Sequence, residues 1–92
     1  MKALMSTKVG GPDTLEMMDV ADPVAGKGQV LIDVKACSIN YPDVLIIQDL
    51  YQFKPQRPFA PGGEVSGVIA AVGEGVENLN VGDRVASTTG HG

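Results

Sequence analysis

Between residues 29 and 37 the chain alternates. Val30, Ile32, Val34 and Ala36 fall on one side of an extended backbone, and Asp33 and Lys35 on the other. A period of two is the pattern of a β-strand with one face buried and one wet. Residues 1–6 read as an earlier strand. After a turn at Gly10-Gly11-Pro12-Asp13, residues 14–20 read as its antiparallel return. Residues 21–27, with Asp22-Pro23 and Gly26, form a loop. Residues 40–48 change character. Pro42 suits a first helical turn, and Val44-Leu45-Ile46-Ile47 are too apolar to lie free in water, which predicts a short packed helix. Residues 49–63, rich in Pro and Gly, read as an irregular loop. Residues 64–72 form another strand, in which Gly67 marks a bulge or a close backbone approach. Residues 73–80 make a turn, and Gly82-Asp83 open a last strand through Ala86.

About five strands and one short helix, with no internal repeat, predict a mainly β fold in the form of a small, partly open barrel. The edges of an incomplete barrel invite pairing, so further chain, self-association or strand exchange is expected. With 92 residues the chain is one domain at most. A domain of this size buries only roughly 60% of its unfolded surface.

Composition narrows the partners. A net charge of -4, with seven scattered basic residues, argues against nucleic acid, whose phosphates need clustered Lys and Arg. No stretch is long and apolar enough for a membrane span, and the N-terminus lacks the apolar run of a secretory signal. Cys37 is the only cysteine, so an internal disulfide is impossible and a reducing, cytoplasmic setting is expected. Its plain reading is a small packed thiol.

Candidate chemistry is first a matter of exclusion. Gly73-Glu74-Gly75-Val76-Glu77-Asn78 misses the dinucleotide fingerprint GxGxxG at its last glycine. It also precedes helix breakers rather than a helix, so a tight turn is the better reading. No phosphate-binding GxxxxGK[ST] is present. Cys37 and His91 are far apart and lack the spacing of a metal motif, and His91, one residue from the end, also fits a frayed tail.

Two segments carry a positive signal. One is Lys35-Ala36-Cys37-Ser38-Ile39-Asn40-Tyr41-Pro42-Asp43-Val44-Leu45, followed by Tyr51-Gln52-Phe53-Lys54-Pro55. The other runs from Pro58-Phe59-Ala60-Pro61-Gly62-Gly63-Glu64 through Val65-Ser66-Gly67-Val68-Ile69 to Val81-Gly82-Asp83-Arg84-Val85. With Met1-Lys2-Ala3-Leu4 and Gly28-Gln29-Val30-Leu31-Ile32, this ordered set resembles the GroES-like N-terminal domain of the medium-chain dehydrogenase/reductase superfamily. The resemblance covers essentially the whole chain and implies a truncated GroES-like domain, without the Rossmann domain that completes the active-site cleft.

The zinc alcohol dehydrogenases of that superfamily carry a Cys where this chain has Asn40, ahead of Asp43. They carry Gly-His-Glu where it has Gly62-Gly63-Glu64. Glycine offers no ligand atom and an amide is a poor zinc ligand, so the resemblance implies an enzyme without catalytic zinc. Asn-x-x-Asp followed by Tyr-Gln-x-Lys-Pro is similar to the quinone oxidoreductase and enoyl reductase branch. That branch uses NADPH to reduce quinones or activated C=C bonds. In it Asn40 corresponds to a residue near the nicotinamide, holding the cofactor carboxamide or a substrate carbonyl. Its plainer reading is a helix cap. Tyr51 corresponds to a tyrosine able to polarise or protonate a substrate oxygen, against a plain packed aromatic. Asp43 orients its neighbours or caps a turn. Leu45 stands where some relatives carry a second tyrosine, while Glu64 reads as a polar bridge and Asp83-Arg84 as a turn at strand entry.

The resulting expectation is the substrate-side domain of an NADPH-dependent, homo-oligomeric reductase, inactive and unable to hold NADPH tightly by itself. Three other readings stay open. They are a stand-alone GroES-like binding or scaffold module, a zinc-dependent alcohol dehydrogenase, and an enoyl-thioester reductase or vesicle-associated paralogue of the same family.

Overall fold

The computed structural model describes residues 1–89. It has five strands: β1 (Lys2–Met5), β2 (Glu16–Asp19), β3 (Val30–Cys37), β4 (Glu64–Val72) and β5 (Arg84–Thr88). There is one helix, α1 (Tyr41–Ile47), and a 3₁₀ turn at Pro12–Thr14. β1 and β2 form an antiparallel ribbon, and β3, β4 and β5 an antiparallel sheet in that order. An isolated bridge between Ser6 and Phe59 ties the end of β1 to the long loop. The two sheets make an incomplete barrel, as the count and spacing of strands predicted. His91 lies outside the described residues.

The alternation read in residues 29–37 needs correction. Val30, Leu31 and Ile32 are half-buried, but every residue from Asp33 to Cys37 is exposed, and Val34 is 50% exposed. The register explains part of this. Val30 faces Val72 and Leu31 faces Ala71, but Ile32 faces Ile69. Val34 faces Gly67, and Ala36 then faces Ser66. One irregularity adds a residue to β4 and the next adds one to β3, so the faces of the two strands switch along their length. Cys37 is an exposed thiol and not the packed one expected. β5 also runs two residues past Ala86, because Ser87 and Thr88 find Val65 and Glu64 as partners.

Gly67 marks a close approach of the two long strands. A Cβ there would run into the carbonyl oxygen of Asp33. The sequence admitted a bulge or a close approach at this glycine, and both are present: Gly67 borders the shift between Val34 and Ala36. Two positions on, Ile69 is the most buried apolar side chain of β4. Its backbone N–H donates to Asp83 O, and its carbonyl accepts from Gly82 N, both at 2.9 Å.

A second small core gathers Ile46 and Ile47 of α1 with Phe59, and Leu15 and Tyr51 pack against it. Arg57 holds it in place. Its Nε donates to Ser6 Oγ (3.2 Å), one terminal nitrogen to Asp49 Oδ1 (2.9 Å) and the other to the Ile47 carbonyl (2.8 Å). The guanidinium also lies 5.4 Å from the centroid of the Phe59 ring. Ile47 is in the last turn of α1, so its carbonyl has no partner within the helix. Arg57 and the Gly10 N–H supply two. One planar cation thus joins the end of β1, the end of α1 and the loop.

Arg57→Ala should lower stability by about 2–3 kcal/mol, since it leaves the buried Ser6 hydroxyl and the Asp49 carboxylate without their donor. Urea denaturation followed by circular dichroism measures this, and an unchanged midpoint would show the clamp to be incidental.

Candidate active site

The loop from β3 into α1 does most of the positioning. Asn40 is the N-cap of α1, with extended backbone (φ -129°, ψ 163°). It forms a capping box with Asp43: the Asn40 N–H donates to Asp43 Oδ2 at 2.9 Å, and the Asn40 side chain faces the Asp43 N–H. The Asp43 N–H also donates to the Asn40 carbonyl at 3.0 Å. Pro42 sits in the first turn, where a missing N–H costs nothing. Asp43 and Ile46 lie three residues apart, and Pro42 and Ile46 four, so they share one face of the helix.

That face closes one side of a cleft of about 220 Å³. Asn40, Pro42, Asp43 and Ile46 form this wall. The loop after α1 contributes Tyr51 and Phe53. Gly63 and Glu64 at the start of β4 and Thr88 at the end of β5 complete the rim. The three residues singled out from the sequence, Asn40, Asp43 and Tyr51, therefore meet at one site although eleven positions separate the first from the last. Ile46 anchors the floor to the core, and Tyr51 packs against the same core. An apolar floor with a few convergent polar groups suits a small organic ligand.

Sequence reasoning treated Ser38 as mere context. The structure gives it a place: Ser38 Oγ donates to Glu64 Oε2 at 2.6 Å and accepts from Asn40 Nδ2 at 3.0 Å. Glu64 is thus the polar bridge that was expected, between the β3–α1 loop and β4. Only its position in the motif signalled this; the partner was not legible. Gly63, which the resemblance sets at a zinc-ligand position, lies on the rim of the same cleft. Cys37 lines a different hollow, an open one of about 520 Å³ over β3, β4 and β5. Among the described residues no three His, Cys, Asp or Glu side chains converge. The Gly73–Asn78 segment is a turn after β4, with the Gly73 N–H on Gln29 O at 2.7 Å and Gly75 at φ +85°. It opens no helix.

Comparison with known proteins decides the family. The alcohol dehydrogenase GroES-like domain matches residues 26–92. This chain belongs to that family. Within it, the chain is quinone oxidoreductase-like: it is 43% identical to the quinone oxidoreductase of Lama guanicoe over 90 residues, covering 97% of this chain and 27% of that protein. Quinone oxidoreductase of Escherichia coli complexed with NADPH superposes with a TM-score of 0.89 at 29% identity, covering 97% of this chain and 27% of that one. Human synaptic vesicle membrane protein VAT-1 homolog-like protein superposes at 0.92 with 33% identity, covering 99% and 29%. This GroES-like domain thus spans about a quarter of the length of the relatives it matches. Among the described residues, no helix is long and apolar enough to cross a membrane.

Asp43→Ala removes the acceptor of the Asn40 N–H. It should cost about 1 kcal/mol in stability, seen as a lowered thermal midpoint. A midpoint at or above that of the unaltered protein would mean that the capping contact carries no weight.

Proposed function

We infer that the chain is the substrate-side domain of an NADPH-dependent reductase that acts on quinones or activated C=C bonds. The observation that carries this reading is the convergence of Asn40, Asp43 and Tyr51 on one small cleft, in a domain whose relatives include quinone oxidoreductases and a structure solved with NADPH. The cleft fits one end of such a cofactor. It has apolar surface from Ile46 and Phe53 against which a flat ring can lie, and polar groups at Asn40, Tyr51 and Thr88 to orient it.

When bound, NADPH supplies the hydride. The domain's own part is position and electrostatics. Asn40 orients the nicotinamide end through its side-chain amide. Asp43 holds the backbone of Asn40 at the start of α1. The Tyr51 hydroxyl is the donor that polarises a substrate oxygen as charge builds on it. Ile46 and Phe53 keep water from the reacting carbon. The dinucleotide-binding half is expected elsewhere in the whole protein, so the 92 residues alone are expected to lack activity and tight NADPH binding. The whole protein is read as a cytoplasmic homo-oligomer.

Full-length protein should oxidise NADPH in the presence of a simple benzoquinone. Asn40→Ala should lower kcat/KM by roughly 10- to 100-fold, and an unchanged kcat/KM would remove Asn40 from the site. The reading is also zinc-free, supported by Gly63 and Asn40 standing at ligand positions. Elemental analysis should find well under one zinc per chain in active protein, and a stoichiometric, activity-linked zinc would favour an alcohol dehydrogenase instead.

A further inference from the structure

The cleft contains one group, the Asn40 amide, whose orientation is fixed by a neighbour outside it. Ser38 has a single hydroxyl proton and directs it to Glu64 Oε2 at 2.6 Å. An ionised carboxylate accepts only, so that proton has no other place in the contact. Ser38 then offers Asn40 nothing but lone pairs, and Asn40 must meet it with Nδ2, as it does at 3.0 Å. The capping box favours the same orientation more weakly: the Asn40 side chain faces the Asp43 N–H without a hydrogen bond to it, and an oxygen suits that place better than an NH2. The Ser38 N–H, donating to the Glu64 carbonyl at 3.3 Å, keeps the two strand ends in register for this. Turning the amide over would set N–H against N–H at Asp43. It would also leave the Asn40 oxygen facing a hydroxyl already committed elsewhere.

We propose that Ser38 and Glu64 are positioning residues that lock the Asn40 amide with Oδ1 as an acceptor of the cleft, through which Asn40 takes the carboxamide NH2 of the nicotinamide. An amide oxygen has two lone pairs, so one stays available beside the helix contact. The inference rests on the cofactor reading above and sharpens it. The remaining lone pair of Oδ1 calls for a donor, which the carboxamide NH2 supplies and a substrate carbonyl does not. The substrate oxygen is left to Tyr51.

The test is equilibrium binding to the full-length protein, by titration calorimetry, of reduced NADPH and of its 3-acetylpyridine analogue, in which a methyl replaces the amide NH2. The unaltered protein should prefer NADPH by about tenfold, the worth of one hydrogen bond lost with its acceptor left unpaired. In Ser38→Ala, and in Glu64→Gln, where the new amide both donates and accepts, the Asn40 amide is free to turn. The preference should fall to threefold or less. Ser38→Thr keeps the hydroxyl and should keep the preference, a rescue that a purely structural role for Ser38 does not require. In a side-chain amide NMR spectrum, the Asn40 NH2 resonances of the cofactor-free protein should move in Ser38→Ala and stay in Ser38→Thr. An NADPH complex with no preference over the analogue overturns the acceptor assignment and leaves the cofactor reading standing. A preference that persists in Ser38→Ala and Glu64→Gln overturns the positioning role. No binding of NADPH at all overturns both readings.

Discussion

Arg57 is the point on which the cleft's frame hangs. The β1–β2 ribbon, α1 and the long loop share little regular hydrogen bonding, and each is too small to be stable by itself. One guanidinium with fixed donor geometry reaches all three, through Ser6, Ile47 and Asp49, and lies against the ring of Phe59. A lysine would supply one point charge and lose the fork that makes these contacts simultaneous. The Ser6–Phe59 bridge then closes the small core of Ile46, Ile47 and Phe59, on which Tyr51 packs. The placement of Tyr51 at the cleft therefore traces to a residue that takes no part in the cleft.

The opposite wall depends on the sheet. Gly67 lets β3 and β4 approach where a side chain would strike the Asp33 carbonyl. The two irregularities flanking that point turn the ends of the strands relative to one another. The outcome is that Ser38, just past β3, faces Glu64 at the start of β4. Packing and polar chemistry meet at this pair, because the same two residues join the loop to the sheet and set the amide of Asn40.

Much of the fold was legible. Period-two alternation, glycine and proline punctuation and one apolar cluster after Pro42 yield five strands and a helix close to their observed limits, since these signals are local. Asn40 and Asp43 were legible as a cap and as candidate site residues, and they are three residues apart, so one helical turn suffices to join them. What failed was burial. Val34 and Ala36 sit on the apolar side of a regular strand but lie exposed, and bulges, set by the partner strand, leave no mark in the alternation itself. Arg57 gave no signal either: within a Pro-rich loop a single arginine looks like a solvated charge, and its hydrogen-bond partners are eight to fifty-one residues away.

By itself, then, the sequence determined the element types, the family resemblance through an ordered set of short motifs, and the residue chemistry available at Asn40, Asp43 and Tyr51. Propensity, capping and motif spacing all act over a few residues. Tertiary structure alone decided that those three side chains share a cleft, that Ser38 and Glu64 belong with them, and that Arg57 holds the frame. These are contacts between distant residues, and their geometry follows from strand register and core packing rather than from any neighbour in the chain.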